Sequence, residues 1–250
     1  MTTPALNAGG THAADPVAAA DASADRARIL VWDAPVRVMH WLMVLSFAGA
    51  WLSAESERWR LLHITLGYTL AGLVAARLVW GLVGTQHARF VSFVRGPTAA
   101  LDYLRALLQG RAPHFSGHNP AGALAIVGLL ALAAATTALG WAVEAELGGD
   151  WLEEAHEALA TGMLALVGLH VLGVVVGSLA HRENLARAMF TGRKLGPARD
   201  AIGRRWRALA LVILIFVASF WAWQWQSSPA ADTPAAASAG GHDDDDDDDD

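Results

Sequence analysis

The sequence predicts an all-α integral membrane protein with five helices that cross the bilayer. Of its 250 residues, 54% are hydrophobic, and the mean hydropathy is positive. Several apolar runs approach about 20 residues, the length that a helix needs to cross the hydrocarbon core. Tryptophans stand at the ends of several of these runs, where interfacial aromatic side chains gather. They are Trp32, Trp51, Trp59, Trp80, Trp141 and Trp151.

The apolar runs divide the chain into spans, loops and tails. Between the second and third spans lies a polar loop, residues 84–119, in which PTAALDYLRALL has apolar residues at helical spacing and predicts a short helix on the membrane surface. Residues 1–28 have no apolar core and are not a signal peptide, so they are predicted to form a disordered cytoplasmic tail. Residues 29–194 form the four-helix membrane domain, residues 195–225 a cytoplasmic linker and fifth helix, and residues 226–250 a disordered acidic periplasmic tail. The predicted spans are residues 36–54, 61–82, 120–143, 154–180 and 208–225.

The composition excludes several kinds of redox site. The chain has no cysteine. Disulfides, thiolate metal sites, iron–sulfur clusters held by protein cysteines and covalent attachment of haem through a C-x-x-C-H motif are therefore excluded.

Lysine and arginine are distributed unevenly about the predicted spans. Of eighteen, only Arg58 and Arg60 fall in the segments after the first and third spans. Three others stand before or at the start of the first span, four in the 84–119 loop and eight between the fourth and fifth spans, while Arg77 lies inside the second. Because basic residues favour the cytoplasmic side, the sequence predicts a multi-pass protein of a bacterial inner membrane with a cytoplasmic N-terminus and a periplasmic C-terminus. The predicted outer loops are acidic instead, with Glu55, Glu57, Glu144, Glu146, Asp150, Glu153, Glu154 and Glu157.

Four of the ten histidines lie in, or at the edge of, an apolar span: His40, His63, His156 and His170. Any one of them could be a polar residue hydrogen-bonded to a neighbouring helix. Four together favour a functional site, because ionisable groups inside membranes are usually functional. The remaining histidines are predicted to be solvated side chains of tails and loops, namely His12, His87, His114, His118, His181 and His242.

Helical geometry pairs these four histidines by depth. His156 and His170 are fourteen residues apart, which gives about 21 Å along one face of the fourth span. His40 lies fourteen residues before the outer end of the first span, at the level of His170, and His63 stands in the first turn of the second span, at the level of His156. The depths therefore pair His40 with His170 and His63 with His156.

Two facing imidazoles at each of two depths fit two axially ligated b-type haems, since neutral imidazole fills both axial positions of an iron. Zinc is the alternative, but it prefers three or four ligands that converge on one point. Arg37, Arg58 and Arg60 lie near the histidines in sequence and are candidates either to pair with haem propionates or to snorkel at the interface. Nearby glycines leave room for a porphyrin or allow close helix packing; they are Gly67, Gly72, Gly162, Gly168 and Gly173.

These residues also carry a family resemblance. The runs VWDAPVRVMHW, LLHITLGY, GHNPAGAL, EEAHEALATGMLALVGLH and HRENLARAMFTGRK, within residues 29–194, resemble the bacterial cytochrome b561 family. The branch is similar to the cytochrome b subunits of nickel–iron hydrogenases. The resemblance implies a four-helix bundle with two b-type haems on His40, His63, His156 and His170, and electron transfer between membrane quinone and a partner protein. The fifth helix and the acidic tail depart from the usual pattern.

Three functions follow as hypotheses. The first is a transmembrane electron carrier that links the quinone pool to a c-type cytochrome or hydrogenase-like subunit, because exposed acids steer basic partners. The terminal aspartates fit either a solvated tail or a site for divalent cations or a basic partner. The second hypothesis is a stand-alone quinone oxidoreductase with a small one-electron donor such as superoxide. The third is a non-haem transporter or membrane anchor, although the internal repeats of transporters are not evident.

Overall fold

The computed structural model describes residues 26–228, which are mainly helical. Five helices in this part of the chain are long and apolar enough to cross a membrane, which confirms the predicted all-α membrane fold. The two predicted tails lie outside the described residues, apart from residues 26–28 and 226–228. The run of aspartates from residue 243 to 250 therefore lies outside them as well.

Each spanning helix begins and ends within three residues of its predicted bounds. Apolar length therefore located the spans well, because it is a property of each segment alone. The five helices are α1 (Ala34–Ser53), α2 (Arg60–Val83), α5 (Pro120–Glu144), α6 (Trp151–His181) and α8 (Arg207–Ser227).

Shorter elements fill the loops. The predicted short helix is present with the bounds of the PTAALDYLRALL run, and it packs against α5. Its position on the membrane surface stays a prediction. The shorter elements are β1 (Arg26–Leu30), α3 (Phe90–Phe93), α4 (Pro97–Leu108), α7 (Leu185–Thr191), β2 (Arg193–Pro197) and two 3-10 turns, Glu57–Trp59 and Ala198–Asp200.

The two ends of the bundle differ in composition. We call the end with the α1–α2 and α5–α6 loops, residues 54–59 and 145–150, the acidic end. We call the opposite end, with residues 26–33, 84–119 and 182–206, the basic end. The basic end carries α3, α4, α7 and both strands, so it is the more elaborately folded of the two.

The spanning helices form an open bundle. Close packing joins α1 to α2, α2 to α5 and α5 to α6. Within the described residues no comparably close packing joins α6 to α1, so the bundle is looser on that side. In its middle, Leu70 and Val74 of α2 pack with Leu130 and Ala133 of α5 and with Met163 of α6. Met163 lies between the levels of His156 and His170, which directs both histidines toward the interior.

The fifth span is part of the folded body. Helix α8 packs mainly against α1 and also contacts α2. The indole Nε1 of Trp221 donates a hydrogen bond to Thr69 Oγ1 at 2.8 Å. Thr69 is buried in α2, so this bond fixes the position of α8 along the bundle.

A two-stranded antiparallel ribbon corrects the predicted domain division. Strand β1 pairs with β2, with Ile29 opposite Lys194. The predicted boundaries at residues 28 and 194 fall inside these strands, because backbone pairing joins segments that are far apart in sequence. Residues 26–28 are therefore part of the folded domain and not of the tail.

Asp33 connects the start of α1 to the end of α2. Its side chain is fully buried. It accepts hydrogen bonds from Val36 N at 2.8 Å, Trp80 Nε1 at 3.0 Å and Thr85 Oγ1 at 2.6 Å. The first of these bonds caps α1, and the other two set the height of α1 relative to α2.

Replacement of Asp33 by alanine should destabilise the protein strongly. The variant would leave the Trp80 and Thr85 donors buried without an acceptor and would remove the α1 cap, at a cost of about 2–4 kcal/mol. The thermal midpoint in detergent measures this effect. Asp102→Ala on α4 is the control, because its side chain is 73% exposed. Equal midpoints for the two variants would contradict the role of Asp33.

Candidate functional site

The structure brings His63 and His156 together near the acidic end. His63 stands in the first turn of α2, and His156 lies in the second turn of α6. Their ring centroids are 6.2 Å apart, and the ring planes meet at 72°. The two imidazoles therefore face one site from two different helices.

Each of these rings is oriented by a backbone carbonyl. His63 Nδ1 lies 2.9 Å from Ala50 O, and His156 Nδ1 lies 2.9 Å from Thr136 O. Because a carbonyl oxygen can only accept, Nδ1 must carry the proton in both rings. Nε2 is then unprotonated, and this neutral form is the one that binds metals.

Local helix geometry makes the Ala50 carbonyl available. At the end of α1, Ala54 N bonds to Trp51 O at 3.4 Å and not to the carbonyl four residues back. Ala50 O therefore lacks its usual helical donor and accepts from His63. The end of α1 in this way positions a side chain of α2.

Gly140 makes room for His156 beside Thr136. A Cβ on Gly140 would lie 2.9 Å from His156 Cε1 and 3.2 Å from His156 Nδ1. The ring approaches the Thr136 carbonyl, one helical turn away, because Gly140 has no side chain. The sequence analysis missed Gly140, since only the packing of α5 against α6 places it beside the ring.

The second pair, His40 and His170, lies deeper. The two side chains are close enough to interact electrostatically, and both are partly buried. His40 Nδ1 is buried without a hydrogen-bond partner, and the ring stands edge-on to Trp41 with centroids 5.0 Å apart. Along α6, His170 is about 21 Å from His156. The structure therefore places the four histidines as two separated pairs.

His118 and Arg77 lie between the second pair and the basic end. The ring of His118 packs between Trp32 and Phe93, with centroid distances of 4.4 and 4.5 Å. Its Nδ1 and the Nη1 of Arg77 are buried without partners. Burial lowers the pKa of His118 well below its ordinary value, and the charge of Arg77 lowers this pKa further. His118 is thus neutral near pH 7.

The prediction of solvated loop histidines is therefore wrong for His118. It is also wrong for His87, whose Nε2 is 2.7 Å from the carbonyl oxygen of Asp200. Both are held by segments that are remote in sequence.

The predicted arginines and glycines are only partly at the site. Arg60 pairs with Glu144 at 2.9 Å, and Arg37 Nη1 donates to Phe190 O, so both are already engaged. A Cβ on Gly67 would meet no atom within 4 Å, and Gly67 lies on the same face of α2 as His63, one turn along. Gly72 lies nine residues from His63, on the opposite face, and does not border the site.

The donor set favours paired ligands over a converging metal cluster. Among residues 26–228, no three histidine, aspartate or glutamate side chains come together in a way that could hold a metal ion. Two imidazoles with unprotonated Nε2 atoms fit a metal whose other positions are filled by a porphyrin. The orphaned donors of Arg77, which face this interior, fit a buried anionic group.

Comparisons with known proteins were made for the whole sequence. A family model described as prokaryotic cytochrome b561 matches residues 31–192. A "probable Ni/Fe-hydrogenase B-type cytochrome subunit" of Bradyrhizobium diazoefficiens is 25% identical over 242 residues, covering 76% of this chain and 96% of the relative. A protein with the same description from Azotobacter vinelandii is 25% identical over 214 residues, covering 67% and 88%. No solved structure matches significantly.

Enlargement of Gly140 should disturb the His63–His156 pair. Gly140→Val would push the His156 ring away from the Thr136 carbonyl, so we expect loss of at least about half of the visible absorption of the group held there. Gly72→Val is the matched control, since a Cβ there meets no atom within 4 Å. Haem content per protein, determined from the visible spectrum, measures the effect. Unchanged content in Gly140→Val would show that the ring does not depend on this glycine.

Proposed function

The chain belongs to the prokaryotic cytochrome b561 family, and from this premise we propose that it carries electrons through two b-type haems, one held by each histidine pair. Family membership makes it a b-type cytochrome of electron transfer in a membrane, with haem b as its cofactor. The proposal adds the number of haems, their ligands, a link to the quinone pool and a redox partner. Membership also argues against a non-haem transporter or anchor.

The geometry of His63 and His156 is the observation that carries this proposal. Two imidazoles on one metal, each at about 2 Å through nitrogen, would have ring centroids about 6 Å apart. The observed separation is 6.2 Å. The backbone bonds at both Nδ1 atoms leave both Nε2 atoms free to coordinate. The pair is thus preorganised for axial ligation before any cofactor is considered.

The second pair supports a second haem. His40 and His170 come from α1 and α6, the two helices that do not pack closely against each other, so the bundle has room between them. Arg77 projects unpaired guanidinium nitrogen into the same interior, where it would pair with a haem carboxylate. When bound, the haems supply one-electron oxidation and reduction; the protein holds them and keeps water away.

The residues between the two pairs would control the separation of the haems. Met163 of α6 is buried between them and packs on Leu70 and Val74 of α2. This apolar layer keeps the two sites dry and distinct. Electrons would therefore cross the membrane in two steps, from one end of the bundle to the other.

We place the basic end in the cytoplasm and the acidic end in the periplasm, in a bacterial inner membrane. The support is the distribution of lysine and arginine, with only Arg58 and Arg60 at the acidic end. An odd number of spans puts the two termini on opposite sides. The membrane location gives access to quinone, which we propose as the redox partner within the bilayer.

The acidic end is the proposed docking face for a protein partner. Its carboxylates are exposed, and among the described residues Glu144 alone has a cationic partner within 4.0 Å, namely Arg60. Exposed acids attract a basic surface and accelerate encounter. A c-type cytochrome fits this chemistry. A hydrogenase-like subunit is the other candidate, because the printed names of the two relatives mention hydrogenase.

Alanine variants of the four histidines test the haem assignment. His40→Ala and His170→Ala should each remove the same haem, whereas His63→Ala and His156→Ala should remove the other, because each variant takes away one axial ligand. Reduced-minus-oxidised spectra and the haem-to-protein ratio distinguish the two losses. His114→Ala is the control, since His114 bonds to Glu183 at the basic end. Spectroscopically different losses in His40→Ala and His170→Ala would overturn the pairing.

Neutralisation of the acidic end should slow electron transfer to a basic partner. Replacement of Glu153, Glu154 and Glu157 by glutamine should slow transfer to a basic c-type cytochrome by roughly ten-fold at low salt and flatten its salt dependence. Stopped-flow absorbance measures the rate. Asp102→Asn at the basic end is the control. A rate that does not vary with salt in the unmodified protein would refute electrostatic steering.

A further inference from the structure

The basic end contains a cavity of about 210 Å³ with an unusual density of positive charge. It lies where the end of α6 and the start of α7 meet the β ribbon. Four arginines and one lysine contribute to its walls, together with Glu183, Asn184 and Leu195. The basic residues are Arg28, Arg182, Arg187, Arg193 and Lys194.

The charge in this cavity is not compensated by the described protein groups. Glu183 is the one carboxylate in the wall, and it already accepts from Leu195 N at 2.8 Å and lies 3.1 Å from His114 Nε2. Among the described residues, none of the four arginines has a carboxylate within 4.0 Å. Like charges in a confined space repel each other, so a bound anion would stabilise this arrangement.

The backbone at Arg182 keeps an arginine in an unfavourable position. Arg182 ends α6 with φ 51° and ψ 34°, in the left-handed region. Glycine or asparagine adopts this conformation more readily. The turn carries the chain from α6 toward α7 and places the Arg182 side chain in the wall of the cavity. A solvated surface charge would not require this position.

Lys194 has a supporting role in the same wall. Its Nζ donates to Phe115 O at 2.8 Å and to Gly117 O at 3.4 Å. Burial lowers the pKa of Lys194, and the nearby Glu183 opposes this shift. Lys194 therefore ties the ribbon to the α4–α5 loop, and the four arginines remain as the groups that can bind an anion.

An apolar groove of about 280 Å³ adjoins this cavity. Phe190 and Met189 of α7 form one wall of the groove, and Leu214 of α8 contributes another. Arg187 borders the cavity, and Phe190, three residues later, borders the groove, so one face of α7 joins them within about one helical turn. The α1 residues of the groove are Arg37, Val38, Trp41, Leu42 and Leu45.

We propose that the cavity and groove together bind an anionic phospholipid. The guanidinium groups of Arg182, Arg187 and Arg193 hold its phosphate, and an acyl chain lies in the groove between α1 and α8. Basic pockets at the ends of membrane helices recognise anionic headgroups, and arginine binds phosphate through paired hydrogen bonds. The adjoining apolar groove favours a lipid over a free phosphate. The proposal does not depend on the number of haems.

Native mass spectrometry of the full chain in detergent tests this inference. Phosphatidylglycerol and phosphatidylcholine are added separately, and bound lipid is counted. Arg182→Gln, Arg187→Gln and Arg193→Gln combined should lower phosphatidylglycerol occupancy by about ten-fold and leave phosphatidylcholine unchanged. The matched control combines Arg111→Gln, Arg199→Gln and Arg204→Gln, which removes the same charge from the same end outside the cavity. The control should change occupancy by less than about two-fold.

A groove variant and a competitor separate the lipid from other anions. Leu45→Trp, which fills the groove, should also lower phosphatidylglycerol occupancy, while excess inorganic phosphate should not displace the lipid. Equal losses in the two triple variants would overturn the proposal in favour of general surface charge. Equal binding of the two lipids, or displacement by phosphate, would overturn it as well. The visible haem spectrum of each variant verifies that it is folded.

Discussion

The buried carboxylate of Asp33 is the interaction on which the arrangement of the first two helices depends. It caps α1 through Val36 N and accepts from Trp80 and Thr85 at the far end of α2. A carboxylate with three donors is stable in an apolar setting, whereas one without them is not. This anchor sets the height of α1 against α2. It lies seven residues before His40, about 10 Å along the helix, and so also sets the depth of that histidine.

The same requirement, that every buried polar group finds a partner, shapes the candidate site. His63 and His156 satisfy their Nδ1 protons with carbonyls of neighbouring helices. These bonds select one tautomer and aim one nitrogen of each ring at the space between them. The fold thus prepares a ligand pair as a by-product of ordinary hydrogen bonding. Where the partners are missing, as at Arg77 and His118, the structure indicates where a bound group would complete it.

The two ends of the bundle have different physical roles. The acidic end consists of short loops with exposed carboxylates, close to the His63–His156 pair. The basic end is closed by α4, α7 and the ribbon, and its arginines surround a cavity. An electron carrier needs both features: a face that attracts a partner near one redox site, and an opposite end that is anchored in the membrane. The fifth span contributes to this anchoring through α1 and Thr69.

The sequence by itself determined the five spans, the short helix α4 and the two levels of histidine, because apolar length and helical rise are properties of a single segment. It did not predict the ribbon between residues 26–30 and 193–197, the helix α7 or the role of Gly140. It also assigned His118 to solvent, although the ring lies between Trp32 and Phe93. Each of these features depends on a contact between segments that are distant along the chain. Only the packing of the helices and of the basic end brings such segments together, and no local pattern of residues records it.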